Sequence, residues 1–315
     1  MRACLQSPSW GHRLPPQSFF MVSAVFHYLG PSLAVLLFAR VDVLGVAWLR
    51  IVSAAAVFAC WRRPWRLAAR LDRRGRRLLA QLGATLAAMN TLFYLAVARL
   101  PLSTVGAIEF LGVILLAAAG ARTPRNLAAL AITTLGVVTI TDIRLGGQPL
   151  GFVFAFGNAA LFVLYVILGH RTANADPGPG PDPDRAGRGL PSGIDRLGAS
   201  MLVAAVVVTP VGLRGALPAF AHPALLLAAA GVGICSSVIP YITDQLAMAG
   251  LPRATFALLL ALLPMFATVI GAIVLRQLPT AQDLIGIGLV VAGVALHQAE
   301  APSKLSVDTR IITTG

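Results

Sequence analysis

The sequence predicts an all-α integral membrane protein of about ten transmembrane helices, arranged as two inverted five-helix repeats. Three observations carry this expectation. Only 12% of the residues are charged and 57% are hydrophobic, with a mean hydropathy of +0.80; a soluble domain carries about a quarter charged residues. Apolar runs recur from near residue 18 to near residue 298, each roughly 20 residues long and so able to span a hydrocarbon core of about 30 Å. Most arginines sit between the runs, chiefly in every second connecting segment.

The first run, 18–39, holds His27-Tyr28 and then Gly30-Pro31; the proline removes one backbone bond and can kink the helix toward a cavity. The second, 43–61, carries Arg50 too far from either end to reach water easily. The third, 78–98, places Asn90, Phe93 and Tyr94 on one face, since i, i+3 and i+4 share a side. A Leu100-Pro101 turn leads into the fourth, 102–121, which contains Glu109. The fifth covers 126–141, and the sixth, 150–169, repeats the polar face with Asn158, Phe162 and Tyr165. Runs at 197–213, 223–247 (Pro240, Tyr241, Asp244), 253–275 (Pro264) and 281–298 complete the set. The runs are continuous, whereas barrel strands would alternate apolar and polar residues.

Orientation follows from the arginines. The segment "WRRPWRLAARLDRRGRR" (61–77) carries eight of them, and Arg122, Arg125, Arg171, Arg185, Arg188, Arg196 and Arg253 fall on the same side. The opposite side holds only Arg40, Arg99, Arg144, Arg214 and Arg276. The positive-inside rule then places both termini in the cytoplasm. The net charge of +13 is thus a loop property suited to anionic lipid head groups rather than to nucleic acid.

Residues 170–196, rich in Pro, Gly and Asp, read as a flexible cytoplasmic linker. The expected organisation is an N-terminal tail (1–17), a first repeat (18–169), the linker, a second repeat (197–298) and a C-terminal tail (299–315). "ARLPLSTVGAIEFLGV" (98–113) resembles "AGLPRATFALLLALLP" (249–264), and "LGVVTI" (135–140) echoes "AGVALH" (292–297). An odd number of helices per half inverts the second half, an architecture that places a substrate site near the midplane between the repeats.

Several chemistries lack their residues. Cys4, Cys60 and Cys235 are far apart, and no HExxH, GxSxG, Walker A or Cys/His cluster occurs. Neither enzyme chemistry nor a cofactor is expected. "GVGICS" has Gly spacing faintly like a dinucleotide turn but lies inside an apolar run.

The polar residues within the runs are the candidates for function. A charge at the bilayer centre costs on the order of 3 kcal/mol, so Glu109 should face the bundle interior. There it either exchanges protons or serves as a protonated structural group. Arg50 either pairs with Glu109 or receives a substrate carboxylate. Asn90, Phe93, Tyr94, Asn158 and Tyr165 could line a small polar cavity or simply bond neighbouring helices. His27 is a second candidate for proton coupling, with a packing role as the alternative. Pro31, Pro240 and Pro264 are candidate hinges. Asp244, close to the inner end of its run, reads as a solvated anchor.

Taken together, "MNTLFYLAVARLPLSTVGAIEF" (89–110), "AWLRIV" (47–52), "RPWR" (63–66), "LYVILGHR" (164–171) and "IPYITDQLAMAGLPRATFALLLALLPMFA" (239–267) resemble the EamA family of the drug/metabolite transporter superfamily. The resemblance is nearest to its bacterial inner-membrane threonine/homoserine exporters and covers roughly residues 21–298. It implies two inverted repeats and proton-driven efflux of a small polar metabolite from the cell. This chain departs from the exporters' pattern at Val113, where proline is usual, at Leu263 before Pro264, where glutamate is usual, and at Arg276-Gln277, where Gly-Glu is usual. The lost carboxylates support an alternative, a non-transporting accessory or scaffold protein descended from a transporter. The partners expected of a transporter are a small-molecule substrate, a proton or other coupling ion and the bilayer, without nucleic acid; the architecture is also compatible with a homodimer.

Overall fold

A computed structural model describes residues 15–120, 123–141, 148–174, 192–251, 256 and 259–296. The described residues form helices and no strands. In chain order these are α1 (Pro16–Leu37), α2 (Val43–Arg62), α3 (Trp65–Arg70), α4 (Arg73–Val97), α5 (Leu102–Gly120), α6 (Pro124–Thr141) and α7 (Pro149–Ala173). After the linker come α8 (Ser192–Phe220), α9 (Pro223–Gly233), a π turn (Ile234–Val238), α10 (Ile239–Gly250), α11 (Leu263–Leu275) and α12 (Ala281–Leu296).

Among the described residues, six stretches are long and apolar enough to cross a membrane: α1, α2, α4, α7, the Gly193–Phe220 part of α8, and the Pro223–Gly250 rod made of α9, the π turn and α10. The chain is a multi-pass membrane protein. α5 and α6 occupy the predicted fourth and fifth runs, and α11 and α12 are shorter apolar helices.

Helix starts follow local chemistry. The Asp42 carboxylate accepts from the Leu44 N–H at α2, and that of Asp72 from the Gly75 N–H at α4. Each satisfies a backbone donor that the first helical turn leaves without a partner. α12 opens on a capping box, in which the Thr280 N–H donates to Asp283 Oδ2 and the Asp283 N–H to Thr280 Oγ1. Pro149 and Pro223 start α7 and α9, where a missing N–H costs nothing.

Several boundaries differ from expectation. The arginine-rich 61–77 segment is largely helical, forming the end of α2, all of α3 and the start of α4. α8 runs on past the predicted end at 213, with Pro210 and Pro218 inside it. The linker is shorter than 170–196, because α7 reaches Ala173 and α8 begins at Ser192; residues 175–191 lie outside the described residues, as do both tails beyond the helices. The predicted single helix over 253–275 contains a 3₁₀ turn at Leu260–Leu262. Pro264 explains it: it has no N–H for the Leu260 carbonyl four residues back, and the Leu263 N–H takes that carbonyl instead. α11 then ends on Arg276 with φ of 54°, a left-handed cap for which glycine is the usual residue. The usual Gly of the resembled exporters suits that backbone; Arg276 strains it.

Helices of the two halves interleave. α2 packs along α8, α6 along α12, α4 against both α7 and α8, and α1 against α10 and α11. Close approach depends on missing side chains: a Cβ at Gly30 of α1 would strike the Ser236 backbone, and one at Gly136 of α6 would strike the Gly286 carbonyl. One end of the bundle gathers Pro16 with Gly250, Arg62 with Asp195 and Arg125 with Leu296. The other gathers Leu100 with Gly151, Leu102 with Gln277 and Thr139 with Gln282. The arginine-rich 61–77 segment lies at the first, basic end.

Candidate transport site

α5 carries Glu109 into the bundle about a third of the way along its length, and the side chain is buried. The Asn158 amide of α7 donates to its Oε1 at 3.0 Å. The Tyr28 hydroxyl of α1 donates to its Oε2 at 3.4 Å, and His27 Nε2 lies 4.0 Å from the same oxygen. A carboxyl buried here requires such partners, since desolvation without them would be prohibitive. Edge-on packing against Tyr28 and Phe162 holds the His27 ring in place.

Arg50 of α2 does not pair with Glu109. Its Nε donates to Ser237 Oγ at 2.8 Å and its Nη2 to the Ser236 carbonyl at 2.6 Å, while its guanidinium stacks 5.2 Å over the Tyr94 ring. The neighbouring rod accounts for this choice. Pro240 has no N–H to give the carbonyl four residues earlier, which is that of Ser236, and the chain there widens into the π turn. The freed carbonyl is the one Arg50 takes.

Asn90 of α4 and Tyr241 of α10 bond reciprocally: Asn90 Nδ2 lies 3.1 Å from the Tyr241 hydroxyl, which in turn lies 3.3 Å from Asn90 Oδ1. His27, Pro31, Arg50, Met89, Asn90, Phe93, Glu109, Asn158 and Tyr241 together line a cavity of about 10 Å³. That is about the space of one water. A wider cavity of about 340 Å³ opens at the end opposite the basic one, between the α4–α5 and α11–α12 turns, lined by Arg99, Ser103, Thr268, Gln277 and Asp283 among others.

The expected site residues thus divide. His27, Pro31, Arg50, Asn90, Phe93, Glu109 and Asn158 meet around one centre. Tyr94 lies behind it, its ring under Arg50 and its buried hydroxyl without a partner among the described residues. Tyr165 belongs elsewhere, donating to Asp244 Oδ2 at 3.0 Å. Pro240 shapes the π turn, and Pro264 stands in the first turn of α11 with its side chain outside the described residues. The reading of Asp244 as a solvated anchor is wrong: it is 3% exposed, and Ser23 of α1 donates to its Oδ1 at 2.5 Å. α10 continues to Gly250 and α1 packs along it, which buries a position that looks terminal in the sequence. The sequence also left unmarked Ser236, Ser237 and Met89; the one available signal was Pro240 three to four residues after the serines.

Among the described residues, no group of three His, Cys, Asp or Glu side chains could hold a metal ion.

Residues 185–297 match the EamA-like transporter family. The chain is 29% identical to the threonine/homoserine exporter RhtA of Escherichia coli (strain K12) over 269 residues, 84% of each protein. It is 28% identical to the threonine/homoserine exporter RhtA of Salmonella typhimurium (strain LT2) over 290 residues, 89% of this chain and 91% of that one. A protein solved by crystallography shares its fold at a TM-score of 0.60 and 16% identity, with 89% of this chain and 96% of that chain covered.

Proposed function

We propose that this chain, which carries an EamA-family domain and is similar over most of its length to threonine/homoserine exporters, is a secondary transporter that moves a small amino acid out of the cell in exchange for protons. The observation that carries the reading is the buried meeting of Arg50 and Glu109 around one cavity between the two halves. An amino-acid zwitterion needs a cation for its carboxylate and an anion for its ammonium, and these two side chains supply them. Asn90, Asn158 and Tyr241 add neutral hydrogen-bonding groups, and Phe93 an apolar wall.

Glu109 also provides the coupling. One carboxylate can hold either a proton or the substrate ammonium, so the two compete and exchange across the membrane. The central cavity is too small for an amino acid, and binding requires the rod carrying the π turn to move against α1 and α2. The cavity of about 340 Å³ would serve as a vestibule facing away from the cytoplasm, with the Arg62–Asp195 pair closing the basic, cytoplasmic end.

The packing pattern supports two inverted repeats. Leu100-Pro101 and Leu251-Pro252 are separated by 151 positions, and the mutually bonded Asn90 and Tyr241 are separated by the same 151. Residues at equivalent positions of two repeats can bond each other only near the axis that relates them. Helix pairs such as α2–α8 and α6–α12 likewise join counterparts. That register makes α7 the first helix of the second repeat and moves the boundary from the 170–196 linker to between α6 and α7. With the short α3 set aside and the α9–α10 rod counted once, the linker would leave six helices before it and four after.

Proteoliposomes loaded with radiolabelled threonine test the function. Wild-type protein should exchange threonine and accumulate it against its gradient when a pH difference is imposed. Glu109→Gln should lose both activities by at least tenfold while keeping its expression level. Retention of both by the variant would end the assignment.

A further inference from the structure

Asp244 is a buried carboxyl group for which the exchange just described has no use. It lies at a second depth between the same helices that hold Glu109. On α1, Ser23 bonds Asp244 and His27, one turn on, approaches Glu109. On α7, Tyr165 bonds Asp244 and Asn158, two turns back, bonds Glu109. One to two turns of helix correspond to roughly 5–11 Å. Asp244 is the member nearer the basic end, where α10 closes at Gly250 against Pro16.

The file continues toward that end. Asn158, Phe162, Tyr165 and Gly169 follow one another along one face of α7. Beside Gly169 and Gly193 sits the Gln245 amide, 1% exposed, with neither its oxygen nor its nitrogen partnered among the described residues. A buried amide with free donors and an acceptor, placed between a carboxyl and the bundle end, has the groups that would bind a water. Between Asn158 and Tyr165, the α7 partners of the two carboxyls, stands the Phe162 ring, packed on His27 and on Tyr165.

The groups facing Asp244 are Ser23 and, a turn away, His27 on α1; Tyr165 on α7; and Tyr241 on α10 itself. Asp195 and Arg196 lie at the inner end of α8, Asp195 bonded to Arg62. No cation is bonded to Asp244 among the described residues, unlike Asp195.

We infer that Asp244 is a second protonation site, relaying protons between Glu109 and the basic face through the Tyr165–Gln245 file, with Phe162 as the seal. In one step the proton leaves the Glu109 carboxyl and passes by water to Asp244. Glu109 becomes the carboxylate and Asp244 the carboxyl; a second transfer to water at the basic end restores the Asp244 carboxylate. The inference rests on the proposed proton exchange and assigns it a route.

The experiment uses the same threonine-loaded proteoliposomes. Asp244→Asn should keep threonine–threonine exchange at symmetric pH within about twofold, because exchange needs no net protonation, and lose pH-driven accumulation by at least tenfold. Asp244→Glu should recover most of the accumulation. Phe162→Ala should raise the proton leak, read by an internal pH dye, without substrate. Accumulation by Asp244→Asn at the wild-type level would overturn the inference, as would loss of exchange together with accumulation in a variant that still folds. Should Asp244→Asn fail to fold, Tyr165→Phe decides: a shifted pH midpoint of accumulation supports the relay and an unchanged one overturns it. A wild-type protein that exchanges threonine yet ignores the pH gradient would instead refute the proton coupling itself.

Discussion

Arg62 shows how position decides the fate of a charge. It belongs to a segment whose other arginines suit lipid head groups, yet it is 5% exposed and grips Asp195 with two bonds, Nε to Oδ1 at 2.7 Å and Nη2 to Oδ2 at 3.1 Å. A planar guanidinium meets a carboxylate in this forked manner, and lysine could not. Breaking such a pair strands a charge, at a cost of about 3–5 kcal/mol, whereas replacing both members with apolar groups is often neutral. Arg62→Met alone should therefore lower the unfolding midpoint in detergent markedly, and Arg62→Met with Asp195→Leu should recover most of it; thermal melts of the three proteins check this. Glu109 and Arg50 were legible as residues, because intramembrane charges are expensive. Their partners were not. Arg50 goes to the Ser236 carbonyl because a proline frees that oxygen, and nothing in the local pattern around Arg50 announces it.

At the scale of elements, the rod from Pro223 to Gly250 is the informative one. Its π turn sits between α9 and α10, turning Ser236 and Ser237 toward Arg50. π turns recur at functional sites because they disturb the regular ladder and free backbone groups. Pro240→Ala would return an N–H to the rod to compete with Arg50 for the Ser236 carbonyl. Threonine exchange should fall about tenfold, equivalent to about 1.4 kcal/mol, while the unfolding midpoint holds or rises. A variant with unaltered exchange would show that the freed carbonyl is incidental. Helix positions were legible from apolar runs, and their ends much less so. α8 absorbs Pro210 and Pro218, while Pro264 produces a 3₁₀ turn, so a proline's effect depends on which neighbour donates to the carbonyl it frees.

At the scale of the whole molecule, the bundle has one basic end and one end carrying the wider cavity. Positive-inside orientation turns this into an expectation about sidedness. With Cys4, Cys60 and Cys235 replaced by Ala, Ser103→Cys should react with a membrane-impermeant maleimide in intact cells. Arg66→Cys should react only after permeabilisation. The reverse pattern would invert the orientation, and with it the assignment of the vestibule.

The sequence by itself determined the class of protein, the positions of most helices and the two intramembrane charges. Each of these depends on hydrophobic transfer, which acts residue by residue along the chain. The tertiary structure alone decided which polar groups meet. Asp244 looked like an end-of-helix anchor until α1 was seen to lie along it, and Tyr165 looked like a cavity wall until its hydroxyl was found on that carboxyl. Hydrogen bonds between helices depend on depth and rotation within a bundle, and those are settled by packing across more than two hundred positions, as between Ser23 and Asp244 with a separation of 221.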